Sequence, residues 1–225
     1  MSQLPLDLGH RTALDGVDFH VAQSNREAVA WLDRWPDWPA AALAIHGPAG
    51  SGKTHLAHVW TGRSGARLLG PAALAALDPH RAAAEGSVAL DDLGEAPLDA
   101  AAERQLLHLY NGLVAAGRSL LLLGRRPPAR WPIALADLRS RLAAIPSVGV
   151  AMPDDELFAA VLAKLFADRQ LAVGDDVLRY LGARVERSFE SARDIVARLD
   201  REALAQRRPV TLQLVRRMLA EADVH

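Results

Sequence analysis

The apolar positions along this chain follow one pattern before residue 151 and another after it. In the first part, short apolar runs alternate with stretches in which apolar residues recur every three or four positions. The predicted strands cover residues 41–45, 67–69, 87–92, 119–123 and 148–150, and the predicted helices cover residues 26–35, 55–60, 71–77, 99–116 and 133–142. This alternation predicts an α/β fold in which a parallel β-sheet lies between layers of helices.

From residue 152 onward only the helical period remains. The predicted helices cover residues 155–169, 175–185, 188–206 and 211–222. We therefore expect an α/β base over residues 11–151, followed by a small all-helical lid over residues 152–225. Residues 1–10 have no helical period, which indicates an extended tail.

The turn after the first predicted strand matches the phosphate-binding pattern G-x-x-x-x-G-K-[ST]. It consists of Gly47, Pro48, Ala49, Gly50, Ser51, Gly52, Lys53 and Thr54, and the predicted nucleotide site also includes the following His55. Glycines allow successive backbone N–H groups to approach phosphate oxygens without a Cβ in the way. We expect Lys53 to neutralise the β- and γ-phosphates of ADP or ATP and the Thr54 hydroxyl to bind Mg²⁺. A glycine-rich turn before a helix is the structural alternative.

A second candidate element is the end of the predicted strand 87–92, where Asp91 and Asp92 follow an apolar run. In phosphate-loop folds, carboxylates at such a strand end hold Mg²⁺ and polarise the attacking water. We assign Asp91 to the metal and Asp92 to the water. An ordinary strand-to-turn junction, where aspartate is common, is the alternative interpretation.

Composition limits the possible classes of function. The 225-residue chain has a net charge of −1, no cysteine, and no apolar run of membrane-spanning length. We therefore expect a cytoplasmic protein without a thiolate metal site and without a membrane partner. A nearly neutral chain is also poorly suited to bind nucleic acid by itself, so we expect only indirect contact with DNA.

The phosphate-loop base followed by a helical lid resembles the AAA+ ATPases, and among them the Hda-type regulatory inactivators of DnaA. The resemblance runs from about residue 18 to the C-terminus. It is carried by residues 47–56, by Leu90-Asp91-Asp92-Leu93, by Arg126-Pro127-Pro128 and by residues 137–142, Asp-Leu-Arg-Ser-Arg-Leu. Unlike DnaA itself, the chain is expected to have no helix-turn-helix domain after the lid.

The resemblance implies a function in replication control. Residues 137–142 correspond to the arginine-finger box of the family, so Arg141 is expected to act on ATP bound to DnaA and thereby to switch initiation off. The N-terminal residues Gln3, Leu4, Leu6 and Leu8 resemble the peptide with which such proteins bind the β subunit sliding clamp of DNA polymerase. The structural alternative for Arg141 is an ordinary helix-end ion pair. The alternative for the tail is a segment that is disordered or packs on its own domain.

The protein's own nucleotide chemistry departs from the family pattern at two positions. Arg125 stands where the family has an acidic residue, and the sensor arginine of the lid aligns best with Glu190, with Arg193 one helical turn further on. We assign Arg193 to the nucleotide site and expect a preference for ADP or very slow hydrolysis. The resemblance also implies that the adenine lies against residues 17–21. The protein is then an activator of the DnaA ATPase with weak or no ATPase activity of its own.

Three other functions stay open at this point. One is an ATP-driven helicase loader of the same superfamily, and another is a nucleotide-gated module that binds the clamp without catalysing anything. A small-molecule kinase is disfavoured by the Asp91-Asp92 pair and by the helical lid.

Overall fold

The structure, a computed structural model, describes residues 10–11, 19–206 and 208–222. The chain divides into two compact units, with the division between Ala151 and Met152. The predicted clamp-binding residues Gln3, Leu4, Leu6 and Leu8 lie outside the described residues, as does Val17 from the predicted adenine contact.

The first unit contains strands and helices in alternation. Its strands are β1 (His10–Arg11), β2 (Phe19–His20), β3 (Ala42–His46), β4 (Arg67–Leu69), β5 (Val88–Leu93), β6 (Leu120–Gly124) and β7 (Ser147–Gly149). Its α-helices are α1 (Arg26–Asp33), α2 (Lys53–Ser64), α3 (Pro79–Glu85), α4 (Ala100–Ala115) and α5 (Ala136–Ala144), and short 3₁₀ helices cover Pro71–Ala76 and Pro128–Arg130. The antiparallel pairing of β1 with β2 was not predicted from the sequence.

The main sheet has five parallel strands in the order β4-β5-β6-β3-β7. This arrangement confirms the predicted α/β fold class. Because the strands are parallel, their carboxyl ends lie at one edge of the sheet. The loops that follow β3, β5 and β6 therefore come together there, where open α/β sheets bind their ligands.

Both faces of this sheet are buried. Alternate residues of β3 and β6 face two separate core clusters: Ala44 and Leu122 pack with α4 and α5, whereas Ile45 and Leu123 pack with α1 and α2. Every residue of β6 is buried, as expected for a central strand with an unbroken apolar sequence.

The short helix predicted over residues 71–77 is a 3₁₀ helix over Pro71–Ala76. Helix α3 was not predicted from the sequence. The signals for α3 are present in the sequence, since the Asp78 carboxylate accepts the backbone N–H groups of His80 and Arg81, and Pro79 occupies the first helical position.

The second unit is all-helical, as predicted. It consists of α6 (Asp155–Asp168), α7 (Asp175–Gly182), α8 (Phe189–Gln206) and α9 (Leu212–Ala222). These helices enclose their own apolar core, in which Phe158, Leu162 and Phe166 are almost completely buried. Within the described ranges, no helix has both the length and the apolar character needed to cross a membrane.

Candidate functional site

The phosphate-loop sequence connects β3 to α2 at the carboxyl edge of the sheet. Gly50 and Gly52 have φ angles of 73° and 92°, in the left-handed region that favours glycine. Gly52 is also the N-cap of α2, and no side chain caps this helix. The first backbone N–H groups of α2 therefore have no intrahelical acceptor, an arrangement that favours an anion at this helix end.

Gly47 fixes the position of this loop. Its N–H donates to the carbonyl of Gly124 at the end of β6 (3.2 Å). A Cβ at Gly47 would lie 2.1 Å from the carbonyl oxygen of Val150, so the chain after β7 leaves no space for a side chain. The start of the loop is thus held between the ends of β6 and β7, the two strands that flank β3.

We expect Gly47→Ala to lower the free energy of unfolding by about 1–3 kcal/mol, because the added methyl group overlaps with backbone that cannot move aside freely. Gly62→Ala in α2 is the matched control, since a Cβ at Gly62 meets no atom within 4 Å. In a helix interior this control should stabilise the protein by about 0.5–1 kcal/mol. Urea unfolding of both variants tests the prediction, and a Gly47→Ala variant as stable as the wild type would contradict it.

Lys53 is the first residue of α2 and is half-buried. Its Nζ donates to the carbonyl oxygens of Gly47 (2.8 Å) and Pro48 (2.7 Å). Burial lowers the pKa of Lys53; the nearby Asp91 carboxylate opposes this shift, and Arg125 adds to it. The ammonium group is therefore a partly desolvated cation within the loop, suited to exchange carbonyl oxygens for phosphate oxygens.

Thr54 and Asp91 are brought together by the fold. The Thr54 hydroxyl donates to Oδ2 of Asp91 (2.6 Å), and the backbone N–H of Asp92 donates to Oδ1 of the same carboxylate (2.8 Å). The strand register explains this placement, because Leu90 pairs with Leu122 whereas Leu93 pairs with Gly124. The extra residue is a β-bulge over Asp91-Asp92, where Asp92 has a φ of 58°.

The oxygen atoms of Thr54 and Asp91 fit a hard divalent cation such as Mg²⁺. In the part of the chain that the structure describes, no group of three or more histidine or acidic side chains is arranged to hold a metal by itself. Mg²⁺ commonly uses one or two protein oxygens together with phosphates of a nucleotide. The pair therefore suits Mg²⁺ that arrives with a nucleotide.

Arg125 directly follows Gly124, whose carbonyl oxygen accepts the Gly47 N–H. It therefore lies beside the phosphate loop. Its Nε is 3.2 Å from Oε2 of Glu95, which follows the β5 bulge. The buried ring of Trp131 packs against the backbone of Gly94 and Gly124. A Cβ at Gly94 would lie 2.2 Å from this ring, and a Cβ at Gly124 would lie 2.5 Å from the carbonyl oxygen of Leu93. Sequence reasoning singled out Arg125 but missed Glu95 and Trp131.

Arg141 lies in the last turn of α5. Its Nε is 3.1 Å from Oδ1 of Asp137 one turn earlier, and its guanidinium carbon is 5.9 Å from the centroid of the Tyr110 ring. The side chain is 40% exposed. The helix-end ion pair considered above is thus present, but a surface pair of this kind is worth less than about 1 kcal/mol and is easily exchanged.

The remaining predicted site residues lie on other elements. His55 is half-buried in the first turn of α2, and Val21 packs against the apolar cluster on the α2 face of the sheet. In the second unit, Glu190 and Arg193 are exposed in the first turns of α8. The assignment of Arg193 to the nucleotide site stays a prediction.

Both units are similar to known proteins. Residues 154–219 match the sequence model of the family described as Hda, lid domain. Similar solved structures include domain III of the replication initiation protein DnaA from Thermotoga maritima, with 18% identity and a TM-score of 0.76 over 90% of this chain and 94% of that one.

Two longer DnaA structures are also similar. The replication initiator DnaA bound to AMPPCP and single-stranded DNA matches with 18% identity and a TM-score of 0.64 over 80% of this chain and 62% of that one. AMPPCP-bound DnaA from Aquifex aeolicus matches with 17% identity and a TM-score of 0.66 over 80% and 63%. This chain thus spans less than two thirds of those proteins, and at such identities the likeness shows the AAA+ fold alone.

Proposed function

Because this chain is a DnaA-related AAA+ protein of the Hda type, we propose that it is a negative regulator of chromosomal replication initiation. Bound to the DNA-loaded sliding clamp, it stimulates hydrolysis of the ATP held by DnaA. The observation that carries this proposal is the placement of Arg141. Leu138 and Leu142 fix one face of α5 in the core, while the arginine one position before Leu142 stays accessible.

Arg141 acts in trans in this proposal. AAA+ proteins place ATP at the junction of two subunits, and Arg141 would complete the site of a neighbouring DnaA. A guanidinium group stays charged at physiological pH, and its planar fork matches the phosphoryl oxygens that gain negative charge in the transition state. Arginine fingers supplied in this way accelerate hydrolysis by about 10³–10⁵-fold. Before the partner arrives, the guanidinium group is paired with Asp137 and lies near the Tyr110 ring.

The protein also binds ADP or ATP in its own phosphate loop. The likeness to DnaA structures that contain AMPPCP supports this part of the proposal. Lys53 and the first N–H groups of α2 would hold the phosphates, and the paired oxygens of Thr54 and Asp91 would hold Mg²⁺. When bound, Mg²⁺ neutralises charge on the phosphate oxygens. The bound nucleotide would then stabilise one conformation of the protein and would be hydrolysed slowly or not at all.

Slow turnover of the protein's own nucleotide follows from two features. Arg125 is paired with Glu95, so the residue after β6 offers no acidic group to position a water. The family resemblance also aligns Glu190 with a sensor arginine, and a negative charge in place of that arginine is expected to disfavour a γ-phosphate. Asp92 remains as the carboxylate that would polarise the attacking water. Rapid hydrolysis by the isolated protein would instead favour a helicase-loader-like ATPase.

The sliding clamp is the proposed partner of the tail over residues 1–10. Burial of Leu4, Leu6 and Leu8 contributes about 5–9 kcal/mol. Ordering the six backbone units of residues 3–8 costs about 1–2 kcal/mol each, so the peptide by itself binds weakly. A ring-shaped clamp with several pockets raises the effective affinity through multivalency and brings the folded units close to DnaA on DNA. Contact with DNA is therefore indirect.

We expect deletion of residues 1–8 to abolish clamp-dependent stimulation of DnaA while the affinity for ADP changes less than about twofold, because the phosphate loop lies on other elements. Phosphate release from ATP-bound DnaA measures the first effect, and calorimetry measures the second. A Ser2→Ala variant provides a control with the whole tail present. Full stimulation of DnaA by the truncated protein would contradict the role of the tail. If the full-length protein binds the clamp but does not stimulate DnaA, the result would indicate a non-catalytic clamp-binding module.

A further inference from the structure

Glu103 on α4 is a buried carboxylate that the proposed reaction does not use. This residue is only 2% exposed. Oε1 accepts the backbone N–H of Ala134 (2.8 Å), and Oε2 accepts the backbone N–H of Leu135 (2.7 Å). Acceptance at both oxygens suits the ionised carboxylate, and hydrogen bonds of this kind offset the cost of burying a charge.

These two N–H groups belong to the residues immediately before α5. Leu135 is the N-cap of α5, and an apolar side chain cannot cap a helix. Glu103 does not accept the first-turn N–H groups of α5; it accepts the N-cap N–H, as the glutamate of a capping box does, and the N–H of the residue before it, and it does so from a different helix. Its negative charge at the start of α5 is also favourable with respect to the helix dipole. The start of the helix that carries Arg141 is therefore fixed by α4.

Helix α4 also contacts the last turn of α5. The Tyr110 ring, two turns after Glu103, lies 5.9 Å from the Arg141 guanidinium carbon. Between these points, Leu138 and Leu142 pack in the core shared with Leu106 and Leu109 of α4. The path from Glu103 to Arg141 thus runs through packed and hydrogen-bonded groups.

We propose that Glu103 is a positioning residue that sets the location of Arg141, so that the guanidinium group can stabilise charge on the transferred phosphoryl group of DnaA-bound ATP. This inference rests on the proposed function of Arg141. The six-residue step from Leu135 to Arg141 spans about 9 Å along a helix, so a tilt of about 6° at the start of α5 displaces the arginine by about 1 Å. Misplacement of a catalytic group by about 1 Å is enough to reduce a rate by about 10²-fold.

The test compares Glu103→Gln with Arg104→Gln. Glutamine has the size of glutamate but presents an NH₂ donor to one of the two N–H groups, so that one hydrogen bond is lost. Arg104 is the exposed neighbour on the same helix and serves as the matched control. Both variants are mixed with ATP-bound DnaA, clamp and DNA, and phosphate release is followed over a range of variant concentrations.

For Glu103→Gln we expect the maximal stimulated rate to fall about tenfold or more. The concentration for half-maximal stimulation should change less than about twofold, because a buried side chain does not touch DnaA. Arg104→Gln should behave as the wild type in both respects. A merely structural defect would instead reduce the fraction of active protein, the affinity for ADP in the phosphate loop and the melting temperature together.

Hydrogen exchange provides the second measurement. In the wild type, the amides of Ala134 and Leu135 should be protected although they precede α5, and at least one of them should exchange about tenfold faster in Glu103→Gln. Unprotected amides in the wild type would overturn the anchor even if the variant fails to fold. A folded Glu103→Gln variant with the wild-type maximal rate would overturn the positioning role alone, whereas a wild type that never stimulates DnaA would overturn the proposed function itself.

Discussion

Replacement of Arg141 by alanine is expected to lower the clamp-dependent rate of hydrolysis of DnaA-bound ATP by about 10³-fold or more. The variant loses the one group that is proposed to stabilise charge on the transferred phosphoryl group. The fold should be unaffected, because the side chain is 40% exposed and its ion pair with Asp137 contributes little to stability. Single-turnover phosphate release from ATP-bound DnaA, with clamp and DNA present, is the measurement.

Two control variants make this result specific. Arg141→Lys keeps the positive charge but loses the planar fork, so it should recover only a small part of the rate. Arg118→Ala removes an exposed arginine from the loop before β6 and should stimulate DnaA as the wild type does. Unchanged hydrolysis with Arg141→Ala, or equal losses with Arg141→Ala and Arg118→Ala, would contradict the arginine-finger role.

Replacement of Lys53 by alanine is expected to weaken binding of ADP and ATP by about 100-fold or more. Lys53 is the cation of the phosphate loop, and each charge-assisted hydrogen bond that it makes to phosphate is worth about 1.5–3 kcal/mol. The loss should be larger for ATP, which has one more phosphate for the ammonium group to contact. Isothermal titration calorimetry with both nucleotides and Mg²⁺ gives the two affinities.

Lys164→Ala is the matched control, since Lys53 and Lys164 are the two lysines of the chain. Lys164 lies on α6 with Asp168 one turn later, at 3.4 Å. Its replacement should leave both affinities within about twofold of the wild type, as expected for a surface ion pair. Equal nucleotide affinities for Lys53→Ala and the wild type would contradict the assignment of the phosphate loop.

The strands of the main sheet were predictable because consecutive residues in each of them are mostly apolar. The apolar run at residues 119–123 can be accommodated only where both faces of a strand are covered, and the structure places it in β6 at the centre of the sheet. The glycine pattern of the phosphate loop was predictable for a similar reason, since Gly50 and Gly52 adopt local conformations that other residues avoid. In both places the decisive interactions involve neighbours in the sequence.

Features that depend on distant residues could not be predicted in this way. The bulge at Asp91-Asp92 arises from the register of β5 against β6, and the Arg125–Glu95 pair joins the ends of these two strands. Neither sequence segment contains a signal for the other. The placement of Trp131 across both strand ends likewise appears only after the sheet has formed.

In helix α4 the sequence contains a signal for which residues face the core, but the apolar period alone misassigns one of them. The helical period predicts an apolar stripe that includes Leu106, Leu113 and Val114, but Val114 is 48% exposed. Glu103, three residues before Leu106 and therefore on the same helix face, is buried instead. A glutamate within an apolar stripe indicates a buried acceptor, but its partners Ala134 and Leu135 are backbone groups about 30 residues away that the sequence does not reveal.

We propose that this protein switches DnaA off by supplying Arg141 while it is bound to the clamp. The most direct test follows phosphate release from ATP-bound DnaA with this protein, clamp and DNA, and with each of the three omitted in turn. We expect rapid release only when all three are present, and slow release from this protein's own ATP in every mixture. Release at the same rate without this protein or without the clamp would contradict the account.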